Sequence, residues 1–305
     1  MIKLSGSRFT DIMPDNLASQ AETQAFAYAV GRQIEKLCAY SDAARTYAAI
    51  ATMPEWLLDY MAVELRTPSY DENYTKQITI NGKVGNTNIS NLAINVFIIG
   101  FNHNASREGS NRIHFKIGKI GNTQVGLCDS EYGNYTSTSG AFTMNTSNTN
   151  SGGWANSHMR KTVLGSDASP TSPRANTLLA ALPADLRAVM KPITKYSDNT
   201  GGGNNTASYV TSTTDYLPLL SEFEYHGTRT YANSAEQNFQ QQYAYYQAGN
   251  SKVHYKHNAT GTAAYAWCRS VDATDTYSFC RVSANGNAYS NYASSSWAVA
   301  AGFAA

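Results

Sequence analysis

The sequence has little charge and no excess of either sign. Its 305 residues include 23 Lys and Arg against 22 Asp and Glu, which gives a formal net charge of +1, and only 15% of residues are charged. Nucleic-acid grooves and polybasic membrane patches need clustered Lys and Arg. We therefore expect no nucleic-acid partner, and we expect partners to be recognised by shape and hydrogen bonding.

Long apolar runs are also missing. The longest, LAINVFIIGF at residues 92–101, is about half of the roughly 20 residues that a transmembrane helix needs. The N-terminus has no basic segment followed by an apolar stretch, which is the pattern of a signal peptide. We expect synthesis in a cytoplasm and no membrane insertion.

Cysteines are few and far apart. Cys38, Cys128, Cys268 and Cys280 show no CxxC spacing, which argues against a zinc site and against a disulfide-stapled scaffold. Isolated cysteines of this kind usually pack as small apolar side chains. Buried free thiols are the expectation.

Other candidate catalytic or metal-binding patterns are weak. His254 and His257 are three residues apart in a predicted strand, which places them on opposite faces. Asp272 and Asp275 lack the alternating oxygen spacing of a calcium loop, and the glycines at 201–203 lack the GK[ST] of a phosphate-binding loop. The sequence predicts no catalytic residue, no cofactor and no metal.

The first quarter of the chain predicts helices. Ser19 and Glu22 form a capping box, and apolar residues recur at spacings of three, four or seven over residues 26–48. Pro54 suits the first turn of a second helix, whose apolar side runs over residues 56–65. We predict a short helical N-terminal module in residues 1–75.

The composition changes near residue 76, where helix formers give way to Gly, Asn, Ser, Thr and Tyr. Short β-like runs and helical islands then alternate with long loops. The β-like runs are at 77–80, 93–101 and 112–117, and the helical islands are at 154–164, 176–190 and 235–248. This pattern predicts a loop-rich α+β domain over residues 76–305.

One segment of the N-terminal part carries a resemblance to a known family. MPEWLLDYMAVELRTPSYDE, residues 53–72, resembles the phage tail protein I family of baseplate components. The resemblance covers about the first seventy residues. It implies that residues 1–75 attach the protein to phage baseplate or tail proteins, and that the protein is located at the tail tip of a virion.

The rest of the chain carries a second resemblance. The segments are MNTSNTNSGGWANSHMR (144–160), LPADLRAVMKPITKYSDNTGGG (182–203), TRTYANSAEQNFQQQYAYY (228–246) and NATGTAAYAWCRS (258–270). Together they resemble the C-type-lectin-fold variable proteins of diversity-generating retroelements. The resemblance implies a C-type lectin-like domain at residues 76–305. It also implies that a variable region at about 264–305 binds a host cell-surface protein or glycan.

The C-terminal part lacks Lys, Gln, Glu and Met, and this absence fits such a history. No Lys, Gln, Glu or Met follows Lys256. These retroelements mutate adenines, so an Asn codon can become any codon ending in a pyrimidine, a set without Lys, Gln, Glu, Met or Trp. Trp297 departs from that set. Compositional bias in an Asn- and Ser-rich domain is the alternative, and it stays open.

Side-chain chemistry then selects the predicted recognition surface. Tyr supplies rigid amphipathic contact area, while Asn, Ser and Asp supply adaptable hydrogen bonds. The predicted ligand-binding residues are Asp272, Thr274, Asp275, Thr276, Tyr277, Ser278, Asn285, Asn287, Tyr289, Asn291, Tyr292, Ser294, Ser295 and Ser296. The apolar residues between and beside them are predicted to be core: Trp267, Phe279, Val282, Val299 and Phe303.

The run YSFCRV at 277–282 nearly alternates as a strand. Alternation puts Tyr277, Phe279 and Arg281 on one face and Ser278, Cys280 and Val282 on the other. Each face has an apolar residue, so the pattern leaves open which face is buried.

Three functions are compatible with these observations. The leading hypothesis is a phage or prophage tail-tip receptor-binding protein that is not an enzyme and that forms a homo-oligomer, most plausibly a trimer. The second is a cysteine-dependent oxidase of the formylglycine-generating fold, which would use Cys268 and Cys280. The third is a purely structural baseplate component.

Overall fold

The computed structural model describes residues 75–129 and 142–305. The predicted helical module of residues 1–75 lies outside the described residues except for Thr75, which begins the first strand. The predicted boundary at residues 75–76 and the predicted attachment role of the N-terminal part therefore stay predictions.

Most of the regular structure in the described residues is β-strand. The strands are β1 (Thr75–Val84), β2 (Thr87–Phe101), β3 (Ile113–Ile120), β4 (Thr123–Gly126), β5 (Ile193–Asp198), β6 (Val210–Asp215), β7 (His254–Lys256), β8 (Ala259–Ala264), β9 (Ala266–Val271), β10 (Ser278–Val282), β11 (Ala288–Tyr292) and β12 (Gly302–Ala304). The first three include most of the β-like runs predicted from the sequence.

The helices are all short. They are α1 (Ala105–Glu108), α2 (Gly153–Asn156), α3 (Leu178–Ala181), α4 (Ala184–Val189), α5 (Glu222–His226) and α6 (Ala244–Gln247), with a π-helical turn at Met159–Leu164 and 3-10 turns at Ala207–Tyr209 and Ser234–Asn238. No helix in the described residues is long and apolar enough to cross a membrane.

The predicted fold class, an α+β C-type lectin-like domain, is wrong. Strand accounts for 39% and helix for 19% of the described residues, so the fold is β-rich. Each predicted helical island is interrupted. In the island at 176–190, for example, Pro183 follows Leu182, and the residue before a proline is disfavoured in helical conformation. Local apolar spacing alone did not reveal these breaks.

The largest sheet has the order β1-β2-β3-β4-β7-β8, and β12 pairs with β3. The second half of β2, VFIIGF, is buried without alternation, the pattern of a strand covered on both faces. The ring of Phe303 in β12 stacks on that of Phe115 in β3, with centroids 5.0 Å apart. The C-terminal strand is thus part of the core of this sheet.

A three-stranded sheet of order β11-β10-β9 carries the C-terminal segment of interest, and β5 and β6 form a separate two-stranded sheet. The predicted core residues are all buried, as expected: Trp267, Phe279, Val282, Val299 and Phe303. All five residues of β10, Ser278 to Val282, are buried, and they alternate between the two faces of the strand. Both faces of the YSFCRV strand are therefore covered, which answers the question left open by its alternation.

Candidate binding surface

The large hydrophobic side chains that are exposed among the described residues are three tyrosines of the C-terminal segment. Tyr277 is 40% exposed, Tyr289 50% and Tyr292 53%. Tyr289 and Tyr292 lie on β11, the edge strand of the three-stranded sheet, and Tyr277 directly precedes β10. Exposed aromatic side chains that combine an apolar ring with a polar tip are typical of binding surfaces.

Together with Tyr231, these three tyrosines form two pairs of rings. The rings of Tyr277 and Tyr292 meet edge to face with centroids 5.2 Å apart, and Tyr289 meets Tyr231 in the same way at 6.1 Å. Tyr289 lies opposite Arg281 and Tyr292 opposite Ser278 in the β10–β11 register. Because cross-strand partners share a face, the two pairs lie on opposite faces of the edge strand.

Arg281 supports the second pair from beneath. Its guanidinium carbon lies 4.0 Å from the ring centroid of Tyr265, 4.2 Å from that of Trp297 and 5.1 Å from that of Tyr289. Guanidinium groups are attracted to aromatic faces, and the attraction is stronger where water is excluded. Tyr289 is therefore exposed on one side and fixed by a buried cation on the other.

A single buried side chain, that of Asn150, holds the loop at residues 272–278. Its Nδ2 donates to the carbonyl oxygens of Asp272 (3.2 Å), Asp275 (2.9 Å) and Ser278 (3.2 Å). Its Oδ1 accepts from the backbone N–H of Gly202 at 2.8 Å. All four partners are backbone groups, so these contacts can hold the loop whichever side chains it has.

The glycines at 201–203 pack against this anchor. A Cβ on Gly201, whose φ is +69°, would lie 2.1 Å from the carbonyl oxygen of Asn150. A Cβ on Gly203, whose φ is +70°, would lie 3.0 Å from the backbone of Asp275. The close approach of three backbone segments explains why glycine is needed here, in a run that the sequence alone indicated only as a loop.

Glu222 holds the neighbouring loop in the same manner. Its two carboxylate oxygens accept from the backbone N–H groups of Thr230, Tyr231 and Ala232 at 2.7 to 3.2 Å. Burial raises the pKa of Glu222, and the three backbone donors oppose that rise. Tyr231, which sequence reasoning missed, is thus presented beside Tyr289 by a loop that is fixed through its backbone.

The predicted ligand-binding residues fall into three groups by exposure. Exposed are Thr274, Thr276, Tyr277, Asn285, Asn287, Tyr289 and Tyr292, half-buried are Asp275, Asn291, Ser294 and Ser295, and buried are Asp272, Ser278 and Ser296. We use the name tyrosine surface for the exposed group together with Tyr231.

The three buried residues have structural partners and do not lie on the exposed surface as predicted. Asp272 Oδ1 accepts from the backbone N–H and the hydroxyl of Thr274, which closes the turn that follows. Ser278 is in the ladder between β10 and β11, and the Ser296 hydroxyl donates to Asp129. Polar residue type predicted exposure here, but these three residues are buried through a local turn, a strand ladder and a side-chain hydrogen bond.

A second polar cluster is buried in the described part of the chain. It contains Glu108, Lys195, Glu224 and Arg269, with His103 beside them. His103, Glu108 and Glu224 bring ligand atoms within 4.8 Å of one another, as a metal site would. The Lys195 ammonium, however, lies 2.6 Å from Glu108 Oε2 and 2.9 Å from Glu224 Oε1. The lysine therefore supplies the cation that these carboxylates require.

The cysteines of the described residues are buried free thiols, as expected: Cys128, Cys268 and Cys280. Burial raises the pKa of Cys128 to about 12 and raises those of Cys268 and Cys280 well above the ordinary value. The thiolate is the reactive form of cysteine. These environments disfavour the cysteine-dependent oxidase considered above.

The two histidines near residue 255 do not converge on a common point. The Nε2 atom of His254 lies 2.6 Å from the Lys116 ammonium nitrogen, whereas His257 Nδ1 accepts from the backbone N–H of Cys128 at 3.0 Å. Burial lowers the pKa of both imidazoles. β7 ends at Lys256, so His257 lies outside the strand that was predicted for both histidines, and the two imidazoles have separate partners.

Comparison with known proteins gives one match. No curated protein and no solved structure matches the chain. One family model, described as a domain of unknown function (DUF6273), matches residues 133–301, which is more than half of the 305 residues. That span contains Asn150, Glu222 and all of the tyrosine surface. The chain therefore belongs to the DUF6273 family.

Proposed function

We propose that this protein is a receptor-binding component of a phage or prophage tail tip, and that its tyrosine surface binds a host cell-surface protein or glycan. The observation that carries the proposal is the combination of exposed tyrosines with loops that are fixed through their backbones. Such a surface gives contact area at low entropic cost, because its parts are ordered before the ligand binds.

The backbone anchors also suit a surface whose side chains vary. Asn150 and Glu222 bind carbonyl and N–H groups that every non-proline residue has. Exposed loop residues such as Thr276, Asn285 and Asn287 can then be exchanged with little cost to the fold. The lack of Lys, Gln, Glu and Met after Lys256 fits a segment that is diversified. A diversified segment needs a fold that tolerates such exchanges.

The arrangement of the two tyrosine pairs favours a large ligand. Because the pairs lie on opposite faces of the edge strand β11, a ligand that contacts both must reach around that edge. A protein or an extended glycan meets this requirement, whereas a small metabolite would contact one pair. The described residues hold no reactive thiolate that would favour the oxidase instead.

The experiment uses tail particles assembled from the genome that encodes the chain. Particles with Tyr277, Tyr289 and Tyr292 all replaced by Ser are compared with wild-type particles for adsorption to cells of a susceptible strain. Tyr255→Ser, a half-buried tyrosine of β7 in the large sheet, is the matched control. We expect the triple variant to adsorb poorly and the control to adsorb normally.

Two results would overturn parts of the proposal. If immunoblotting does not detect the protein in purified tail particles, the tail-tip location is refuted. Normal adsorption by a folded triple variant would refute the role of the tyrosine surface and favour a structural baseplate component. Independently, the neighbouring DNA should encode a reverse transcriptase and a near-copy of the segment for residues 264–305 that differs mainly at adenines.

A further inference from the structure

The buried polar cluster brings an amine against a carboxyl group in a site closed to water. Lys195 on β5 has a side chain 1% exposed, and its Nζ lies 2.6 Å from Oε2 of Glu108, whose side chain is 2% exposed. The same Nζ lies 2.9 Å from Glu224 Oε1 and 3.0 Å from the Tyr243 hydroxyl. The contact with Glu108 brings the amine nitrogen next to the carboxyl carbon, as a reaction between the two groups requires.

Glu108 has the properties of an acid that can be attacked. Burial raises its pKa to about 7, against the opposing charge of Lys195, so the neutral carboxylic acid is populated near neutral pH. Its second oxygen, Oε1, lies 3.5 Å from Asn104 Nδ2 and 3.7 Å from His103 Nε2. Asn104 can therefore donate to the oxygen on which negative charge would develop during attack.

Glu224 orients the amine. Burial alone would raise its pKa, but the charges of Arg269 and Lys195 outweigh that effect and lower it. Arg269 donates to both of its oxygens, through Nη1 and, at 2.8 Å, through Nη2. Glu224 thus stays ionised and accepts a hydrogen bond from the Lys195 nitrogen, which holds that nitrogen beside Glu108.

We propose that Lys195 and Glu108 condense to an intramolecular amide cross-link, with Glu224 holding the amine in position. The Lys195 ammonium first passes one proton to the Glu108 carboxylate, which leaves a neutral amine beside a neutral carboxylic acid. The Nζ lone pair then attacks Cδ of Glu108, and the new N–C bond forms as one C–O bond breaks. The departing oxygen leaves as water, with one proton from the carboxylic acid and one from the attacking nitrogen. Neither an oxidant nor a further reactant is consumed.

The cross-link would connect distant parts of the described chain. Glu108 ends the short helix α1 and Lys195 lies in β5, 87 residues later. Closing a long loop removes conformational freedom from the unfolded chain, which is how cross-links stabilise proteins. The described cysteines form no disulfide. An amide bond would supply a covalent constraint that does not depend on redox conditions.

The chain contains a matched comparison. Lys116 is also fully buried, but its ammonium contacts Gln124, Tyr246 and His254 rather than a carboxylate. It has the burial of Lys195 without an adjacent acid. Peptides that contain Lys116 should therefore remain linear in the same sample in which Lys195 is cross-linked.

The test is mass spectrometry of the full-length protein, denatured before measurement. We expect an intact mass below that of the sequence by one water molecule, and a branched tryptic peptide that joins the segments containing Glu108 and Lys195. Lys195→Arg should have the full mass of its own sequence, without loss of water, and Glu224→Ala should reduce the cross-linked fraction at least tenfold. A wild-type mass without loss of water, with linear peptides for both residues, would overturn the proposal even if the variants fail to fold.

Discussion

Replacing Asn150 by Ala removes the anchor that positions the loop at 272–278. The change deletes the Nδ2 contacts to the carbonyls of Asp272, Asp275 and Ser278 and leaves the Gly202 N–H without its acceptor. An amide nitrogen has only two hydrogens, so its three contacts count as about two full bonds. The Gly202 contact adds a third.

The magnitude follows from the burial of this site. A buried group left without a partner costs about 1–3 kcal/mol, and Asn150 is fully buried. Three bonds then give a loss of about 3–5 kcal/mol in the free energy of unfolding. The loss is not larger because water that enters the space will satisfy part of the lost hydrogen bonding. We expect Asn150→Asp to cost as much, since a carboxylate would oppose the carbonyls.

The assay combines urea unfolding of the full-length protein with amide hydrogen exchange of residues 272–278. The exposed Asn285, replaced by Ala, is the control and should change stability by less than about 0.5 kcal/mol. Exchange should accelerate in the 272–278 loop under conditions where the strands of the large sheet remain protected. If Asn150→Ala leaves both stability and loop exchange unchanged, the backbone-anchor argument is wrong.

Two further predictions concern the contrast between the tyrosine surface and the core, and the buried His103. Replacing Tyr277, Tyr289 or Tyr292 by Ala should weaken ligand binding by about 1–3 kcal/mol and leave the melting temperature unchanged. Trp267→Ala or Phe303→Ala should instead destabilise the protein by about 3–5 kcal/mol. The opposite pattern in binding and melting assays would show that surface and core are assigned the wrong way round. Burial, with the charge of Lys195, lowers the pKa of His103 to about 3 in the folded state, so unfolding takes up a proton and stability falls as pH drops from about 6.5 towards 3. His103→Phe, which preserves stacking on the Tyr243 ring at 3.7 Å, should reduce that slope by about 1 kcal/mol per pH unit, and an unchanged slope in urea titrations would contradict a neutral buried His103.

Sequence pattern predicted some elements well for a local reason. The runs in β1, β2 and β3 are rich in β-branched and apolar residues, which fit the pleated, half-buried surface of a strand. The apolar positions Trp267 and Phe303 were predicted as core because large apolar side chains gain most from burial. The helical islands failed because prolines, turns and tertiary contacts interrupt a favourable apolar spacing.

Polar residues show the limit of sequence reasoning most clearly. Tyr289 and Asp272 belong to the same stretch of small polar and aromatic residues, yet one is exposed and the other is buried. The difference arises because Asp272 has a local partner in Thr274, whereas Tyr289 lies on an edge strand. Composition indicates which chemistry a segment has available, but hydrogen-bond partners decide which groups are used for structure.

The sequence by itself determined the low charge, the scattered cysteines, the core positions of the C-terminal segment and the tyrosines available for recognition. Only the tertiary structure decided which distant residues hydrogen-bond to one another and hold these elements in place. Asn150 meets Asp275 across 125 residues and Lys195 meets Glu108 across 87. Pairings of this kind have no local signature, because any buried amide or charge can satisfy any complementary group that the fold brings within hydrogen-bond distance.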